Sequence, residues 1–442
     1  MNMQNKEDLQ KWKEIRSRVP RRSHSEWKPF EKRDPIAILR EQDKTRIKEL
    51  VSLRYERMAV SPFTFYRGAA AVMAYDLSST PITGLNVQLC GDAHIANFGM
   101  FASPERHLVF DINDFDETIP GPWEWDIKRL TASVILGGRS SGFSEKECEE
   151  FAFNTVETYK NSMELYTKMN ILDLWYSKID LEKFDAVKNE KMKERVARLT
   201  NKAQKRTSIK AMEKLTHIID GKREFVEDIP IIQRVFDKED TEFVNNGIKS
   251  YRKTLSGEKR FILDRFRTVD IVRKVVGVGS VGTPCFIALL LGKDNDDPLM
   301  LQVKSASKSV IEPYVKDSVY SNDGHRIVAG QRLIQSSSDI FLGWGSLNGE
   351  NFYVRQFWDM KGSVPLEEIR PEGFKIYVNA CAKILALSHA NTGNRFAISA
   401  YIGSSDKFAK AITEFAVKYA KQTEKDHAQL VKAMKNGFLE GE

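Results

Sequence analysis

The sequence predicts an α+β protein of two lobes, a small β-rich one and a large helical one. Three observations carry this. At 442 residues the chain is too long for one simple core. Around 265–360 the texture is short apolar runs split by Gly-rich and Asp-rich turns, as in "TVDIVRKVVGVGSVGTPCFIALLLGKDNDDPLMLQVKSA". Helical periodicity dominates on both sides of that segment. The expected division is therefore 1–79 (arm and helices), 80–264 (helical lobe with the chemistry-bearing loops), 265–360 (β-rich lobe) and 361–442 (helices that complete the helical lobe).

Taken in order, residues 1–34 are polar and basic and punctuated by Pro20 and Pro29, which reads as an arm outside the core. "DPIAILREQDKTRIKELVSLRYERM" reads as one helix, with Ile38, Leu39, Ile47, Leu50, Val51 and Leu53 at helical spacing. A shorter helix is expected near 67–76. "LNVQLC", residues 85–90, reads as a buried strand, and "HLVFDIND" as a second strand antiparallel to it. The turn "TIPGPW" leads into a helix, "WDIKRLTASVILGG". Ser144 and Glu147 form a capping box, with Phe143 stapled to about Tyr166. Charged helices fill most of 180–260. "FYVRQFWDM" is a strand running into a hinge near "FWDMKG". The chain ends in two helices, "PEGFKIYVNACAKILALSHA" and one from Ser405 (N-cap) to about Asn436, with Phe408, Ile412, Phe415 and Tyr419 as its apolar stripe and Gly437 as its stop.

Composition narrows the function classes. A hydrophobic share of 41% excludes a disordered chain. The longest strongly apolar run, "CFIALLLG", is too short for a bilayer, so no membrane span is expected. The N-terminus has no apolar run of the signal-peptide kind, and Cys90, Cys148, Cys285 and Cys381 lie far apart with no C-x-x-C. A cytoplasmic protein is the expectation. The net charge of +7 is concentrated in residues 188–223, with twelve Lys/Arg against four Asp/Glu. That stripe is either a solvated helical face or a weak site for an anionic partner such as RNA.

Two short stretches carry the chemistry. "CGDAHIANFG" sets Asp92, His94 and Asn97 in one loop, and "DINDFDE" follows with Asp111, Asp114, Asp116 and Glu117. Asp92 and Asn97, five residues apart, have the spacing by which a base and a metal ligand face one cleft. Magnesium prefers oxygen ligands, which Asn97 and Asp114, or failing that Asp111, supply. Downstream, "GVGSVG" places Gly277, Gly279 and Gly282 in a G-x-G-x-x-G pattern. A dinucleotide-binding glycine turn opens a helix. Here Pro284 and β-favouring residues follow, so the turn caps a hairpin. In "LMLQVKSA", Lys304 stands on a strand among apolar residues and needs an anion, and Glu312 is the candidate partner. His94 reads as a structural brace bonding through its ring, His389 as structural, Asp126 as a helix N-terminal charge, and Arg67 and Arg355 as possible phosphate or substrate contacts.

"GDAHIANFG" with "VFDINDFDE" resembles the signature of aminoglycoside phosphotransferases and related small-molecule kinases; "PWEWDIKRL" is similar to the segment that follows it there, and "GVGSVG" and "LQVK" to the kinase glycine loop and strand lysine. The order differs, because here the glycine loop and lysine come after the catalytic loop. The resemblance therefore implies a circularly permuted, protein-kinase-like fold using ATP and Mg²⁺, with an unidentified acceptor. It implies Asp92 as catalytic base, Asn97 and Asp114 as metal ligands, Lys304 and the glycines at the nucleotide phosphates, and Asp126 bracing the catalytic loop. The phrases "SPFTFYRG", "LCGDAHIANFG", "DFDETIPGPWEWD" and "GQRLIQSSSDIFLGW" also resemble a bacterial family defined only as a domain of unknown function. Nucleotidyl transfer by the same site, and a non-catalytic nucleotide- or RNA-binding scaffold, stay open beside phosphotransfer.

Overall fold

A computed structural model describes residues 12, 14–181, 190–234, 241–316 and 318–437, without the side chains of 190–192 and 241–244. The molecule is a mixed α+β structure. Its largest sheet has six antiparallel strands in the spatial order Gly343–Leu347, Glu350–Gln356, Pro298–Ser305, Cys285–Leu291, Arg267–Lys274, Ile232–Gln233. The last of these is an addition to the expected β segment, which therefore recruits chain from before residue 265. The glycine run lies between Arg267–Lys274 and Cys285–Leu291, which pair as an antiparallel hairpin. No helix follows the glycines, which removes the dinucleotide-fold reading.

Strand alternation divides this sheet into two faces. Leu299, Leu301 and Val303 join Ala288 and Leu290 in one apolar cluster. Met300 joins Ile287 and Leu289 in another, on the face that also carries Gln302 and Lys304.

The helical body is organised around Trp123–Ser140, nearly all of it buried. Glu145–Thr167, Pro371–Thr392 and Lys407–Lys435 pack around it in one large core. Ser144 and Glu147 form the capping box at the start of Glu145–Thr167. Phe143 packs on Phe151, about two turns past the cap, and on Phe374 of Pro371–Thr392, not on Tyr166, which lies about six turns along the helix. The last helix starts at Lys407 after Asp406, and Ser405 contributes no cap; Gly437, at φ 76°, ends it.

The N-terminal region departs from expectation. Residues taken for an arm are tied into the core. Trp12 and Ile15 are buried, His24 Nε2 bonds the Tyr401 hydroxyl at 2.8 Å, and Arg33 bridges Asp76 (2.6 Å) and Asp426 (2.5 Å). Two carboxylates make a guanidinium burial tolerable that composition alone reads as solvent-facing. The long helix expected from residue 34 is broken into Pro35–Asp43 and Val51–Ala59. The Asp43 carboxylate accepts hydrogen bonds from Arg54 (2.7 Å) and Tyr55, which folds the second helix back on the first. The 180–260 region contains a hairpin, Thr216–Ile219 with Lys222–Phe225, beside its helices.

Candidate functional site

The loop after Asn86–Leu89 is held from below. Its chain turns at Gly91, where φ is +85° and a Cβ would stand 2.3 Å from the Glu117 carbonyl oxygen. Only glycine fits both conditions. Asp126 accepts the backbone N–H groups of Cys90 (2.8 Å) and Gly91 (3.0 Å). It is 1% exposed, and His389 Nε2 lies 3.3 Å away while His389 Nδ1 bonds the Tyr159 hydroxyl at 2.7 Å. A carboxylate that fixes two loop amides does more than complement a helix dipole.

Asp92 meets Arg129. The guanidinium contacts its Oδ1 at 2.6 and 2.8 Å, bonds the Tyr66 carbonyl, and lies 3.8 Å from the Tyr66 ring centroid. Asn97 donates its side-chain N–H to the Asp92 carbonyl at 2.8 Å, which leaves its amide oxygen free of the loop. His94 does not brace by ring bonding: its Nδ1 is buried without a partner among the described residues, and its Nε2 stands 3.6 Å from Asp92 Oδ2. Burial, Arg129 and Arg67 hold the His94 imidazole well below the usual histidine range, so it is neutral.

The second stretch arrives differently from the expectation. Leu108–Ile112 pairs with Phe98–Ala102, and Asn86–Leu89 pairs with Ile119–Pro122. The two motifs are thus joined through two ribbons, not one. The Asn113 N–H donates to the Asn97 carbonyl at 3.0 Å, so Asp114 follows directly beside Asn97. Among the described residues the Asp114 carboxylate accepts only a long bond, 3.4 Å, from the Asp116 N–H. Burial, Asp116 and Asp92 raise its proton affinity against the opposing pull of Lys304 and Arg355. Asp111 is not brought to this cluster: its carboxylate takes the Ser336 N–H (3.0 Å) and hydroxyl (2.8 Å), and burial pushes it up to about 6. It anchors the strand Leu108–Ile112 to Ser336, apart from the Asp92, Asn97 and Asp114 group.

Lys304 is 2% exposed and reaches this cluster from the sheet. Its ammonium bonds Asp116, and the Ser280 hydroxyl at 2.8 Å. Tyr353 donates to the other Asp116 oxygen at 2.9 Å. Burial would raise Asp116 and lower Lys304. Their mutual attraction, with Tyr353 and Arg355 assisting, outweighs it, so both are charged. The expected partner Glu312 is not used; one of its carboxylate oxygens is buried without a hydrogen bond among the described residues. Glu312 sits in a short 3₁₀ turn beyond the end of Lys304's strand, whereas Asp116 lies under that strand's inner face.

The glycine turn is clamped to the N-terminal helices. Gly277 (φ 69°) and Gly282 (φ 86°) adopt backbone that favours glycine. A Cβ on Gly279 would come 2.9 Å from the Arg67 carbonyl. Arg57 bonds the Gly277 carbonyl at 2.6 Å, and the Ile47 N–H bonds that of Gly282 at 2.9 Å. Arg67 itself is half-buried, its Nε is without a hydrogen-bond partner among the described residues, and Asp92 is the carboxylate that most favours its charge. Arg355 bonds Gln302 (2.9 Å) and the Asn113 carbonyl (3.0 Å). Lys361, held down to about 7 by burial and by Arg355, lines a cavity of about 30 Å³ with Asn113 and Arg355.

One loop oxygen set, one lysine and one glycine turn thus meet between the sheet and the helical body. The chain belongs to the family described as "Uncharacterized protein conserved in bacteria" (DUF2252), whose model matches residues 46–433. No curated protein and no solved structure matches the chain. Among the described residues no helix is long and apolar enough to cross a membrane, and no group of three or more His, Cys, Asp or Glu is arranged to hold a metal ion. The matched span of this DUF2252 member includes every residue of the cluster, from Arg67 to Lys361.

Sequence reasoning named Asp92, Asn97, Asp114 and Lys304 but missed Arg129, Asp116, Ser280 and Tyr353 as their partners. Arg129 had a signal: it stands three residues after Asp126 and so on the same helix face. Asp116 lay inside the quoted motif. Ser280 lay inside the quoted glycine motif, whereas Tyr353 carried no signal, since its contact spans 237 residues.

Proposed function

We propose that this chain is an ATP- and Mg²⁺-dependent phosphotransferase with a protein-kinase-like, circularly permuted arrangement, acting on an unidentified acceptor. The observation that carries the reading is the Lys304–Asp116 contact, which links the glycine-turn sheet to the segment bearing Asp114 across 188 residues. Phosphoryl transfer relies on positioning and charge more than on covalent chemistry, and these parts supply both. The packing of Arg21–Ser25 against the final helix, and of Arg16 and Arg21 on the Tyr401 and Ile402 carbonyls of the helix Arg395–Ile402, also suits a permuted order, because the first and last described segments lie together.

In this reading Arg129 holds one oxygen of Asp92 and leaves Oδ2 to orient the acceptor hydroxyl and take its proton. Lys304 exchanges Asp116 for a nucleotide phosphate. Asn97 and Asp114 would hold magnesium, which draws phosphate charge when bound. Two protein ligands suffice where phosphates and water complete the shell. The donor set fits: Asp114 is half-buried, repelled by two carboxylates and, among the described residues, nearly without hydrogen-bond donors, a state a divalent cation relieves.

The test is product analysis with purified protein, Mg²⁺ and ATP over a metabolite and protein panel. Phosphotransfer yields ADP, and pyrophosphate in its place would assign nucleotidyl transfer to the same residues. No turnover, and no thermal shift with Mg²⁺–ATP, would remove both.

A further inference from the structure

The connection between the sheet and the helical body, residues 357–362, is already occupied on its inner side. The Met360 N–H donates to the Arg206 carbonyl at 2.8 Å, and the Arg206 guanidinium donates back to the Lys361 carbonyl at 3.2 Å. Arg206 and Lys214 both lie over the Trp358 ring, at 5.7 and 5.6 Å from its centroid. The helix Ser208–Leu215, capped by the Thr207 side chain, then lays Ala211, Met212 and Leu215 against Ile287, Leu289, Met300 and Phe357. This is the sheet face that carries Lys304, four residues along the strand from Met300.

An adenine ring needs an apolar slot for its faces and, on its edge, a neighbouring donor and acceptor to match its own. Residues 206–215 take up both kinds of contact: the apolar side chains fill the slot, and Arg206 presents an acceptor and a donor to one backbone N–H and one backbone C=O. Next to the connection, the cavity lined by Asn113, Arg355, Asp359 and Lys361 is about 30 Å³, against roughly 300 Å³ or more for a ligand pocket. We infer that residues 206–215 are a built-in occupant of the purine side of the cleft, and that nucleotide binding displaces them. The inference rests on the nucleotide-binding reading above. It also reassigns part of the basic stripe, since Arg206 and Lys214 face the connection and not an external anion.

Hydrogen exchange of the full-length protein, with and without Mg²⁺–ATP, tests it directly. Amides of 208–215 should exchange faster on nucleotide binding, while those of Trp123–Ser140 should not. In parallel, Arg206→Ala and Met212→Glu should tighten Mg²⁺–ATP binding in calorimetry by about tenfold or more, because less of the protein is held in the occupied state. If Mg²⁺–ATP binds while 208–215 stays protected and both variants bind as the parent does, the displacement is wrong and the nucleotide reading stands. If parent and variants all fail to bind Mg²⁺–ATP, both fall.

Discussion

Asp114 is poorly provided for. A carboxylate withdrawn from solvent usually collects hydrogen bonds, yet this half-buried one accepts a single 3.4 Å bond among the described residues and feels the charges of Asp92 and Asp116. Such a residue weakens the resting fold, and that is the mark of a group kept for binding. Asp114→Asn should therefore leave the melting temperature unchanged or raised in metal-free buffer, while abolishing any Mg²⁺-dependent thermal shift and turnover. A lower melting temperature with the Mg²⁺ shift retained would make Asp114 structural. Asp92 behaves oppositely. Its partner Arg129 is 2% exposed, so Asp92→Asn weakens a buried ion pair as well as the proposed base. Turnover, measured well below the melting temperature, should fall by roughly 10²–10⁴-fold. Full activity would remove Asp92 from the chemistry. That the carboxylates Asp92, Asp114 and Asp116 would come together was legible in the sequence because they lie in two short stretches close along the chain. The partner of Lys304 was not, because nearness in sequence favoured Glu312 while the strand's inner face selected Asp116.

At the scale of elements, the loop 90–97 owes its shape to one helix beneath it. Asp126 satisfies two buried amides, so Asp126→Ala leaves both unpaired, a loss of about 1–3 kcal/mol for each. Urea unfolding should show that destabilisation, with Asp126→Asn intermediate because it keeps an acceptor oxygen. Equal stability of the alanine variant and the parent would mean that water replaces the carboxylate at both amides. Elements with local signals were readable: the capping box at Ser144, the glycine hairpin and the helix Pro371–Thr392 follow from caps, turns and periodicity. Those set by distant contacts were not. The break after Asp43 depends on Arg54 and Tyr55, and Gly343–Leu347 becomes a strand by pairing with Glu350–Gln356. The hairpin at 216–225 did have a turn signal in Asp220-Gly221, at φ 48° and 76°, but its two four-residue strands are too short to show a period-2 apolar face.

Across the whole molecule, Glu117 couples the loops to the sheet. Its backbone carbonyl faces Gly91, and its carboxylate accepts the Val310 N–H (2.7 Å) and the Ser309 hydroxyl (3.1 Å), just beyond the strand that carries Lys304. Burial pushes it up to about 7, with Asp116 and Asp92 adding to that and Val310 and Arg326 opposing it. The ordinary value in an unfolded chain is about 4.3. Between those limits the folded protein holds a proton that the unfolded chain has released. Stability conferred by this group is therefore complete below about 4.3 and is lost as pH rises through 7. Lys128 and Lys361, both held down to about 7, act in the opposite sense, and only above that pH, so comparison with a Glu117 variant isolates the carboxyl. Glu117→Gln keeps the acceptor for Val310 and removes the titration. Its unfolding free energy should change less steeply between pH 5 and 7 than the parent's, by at most about 1.4 kcal/mol per pH unit, and should exceed the parent's at pH 8. Parallel profiles in urea titrations across that range would show that Glu117 is ionised throughout and that the loop–sheet junction carries no protonic coupling.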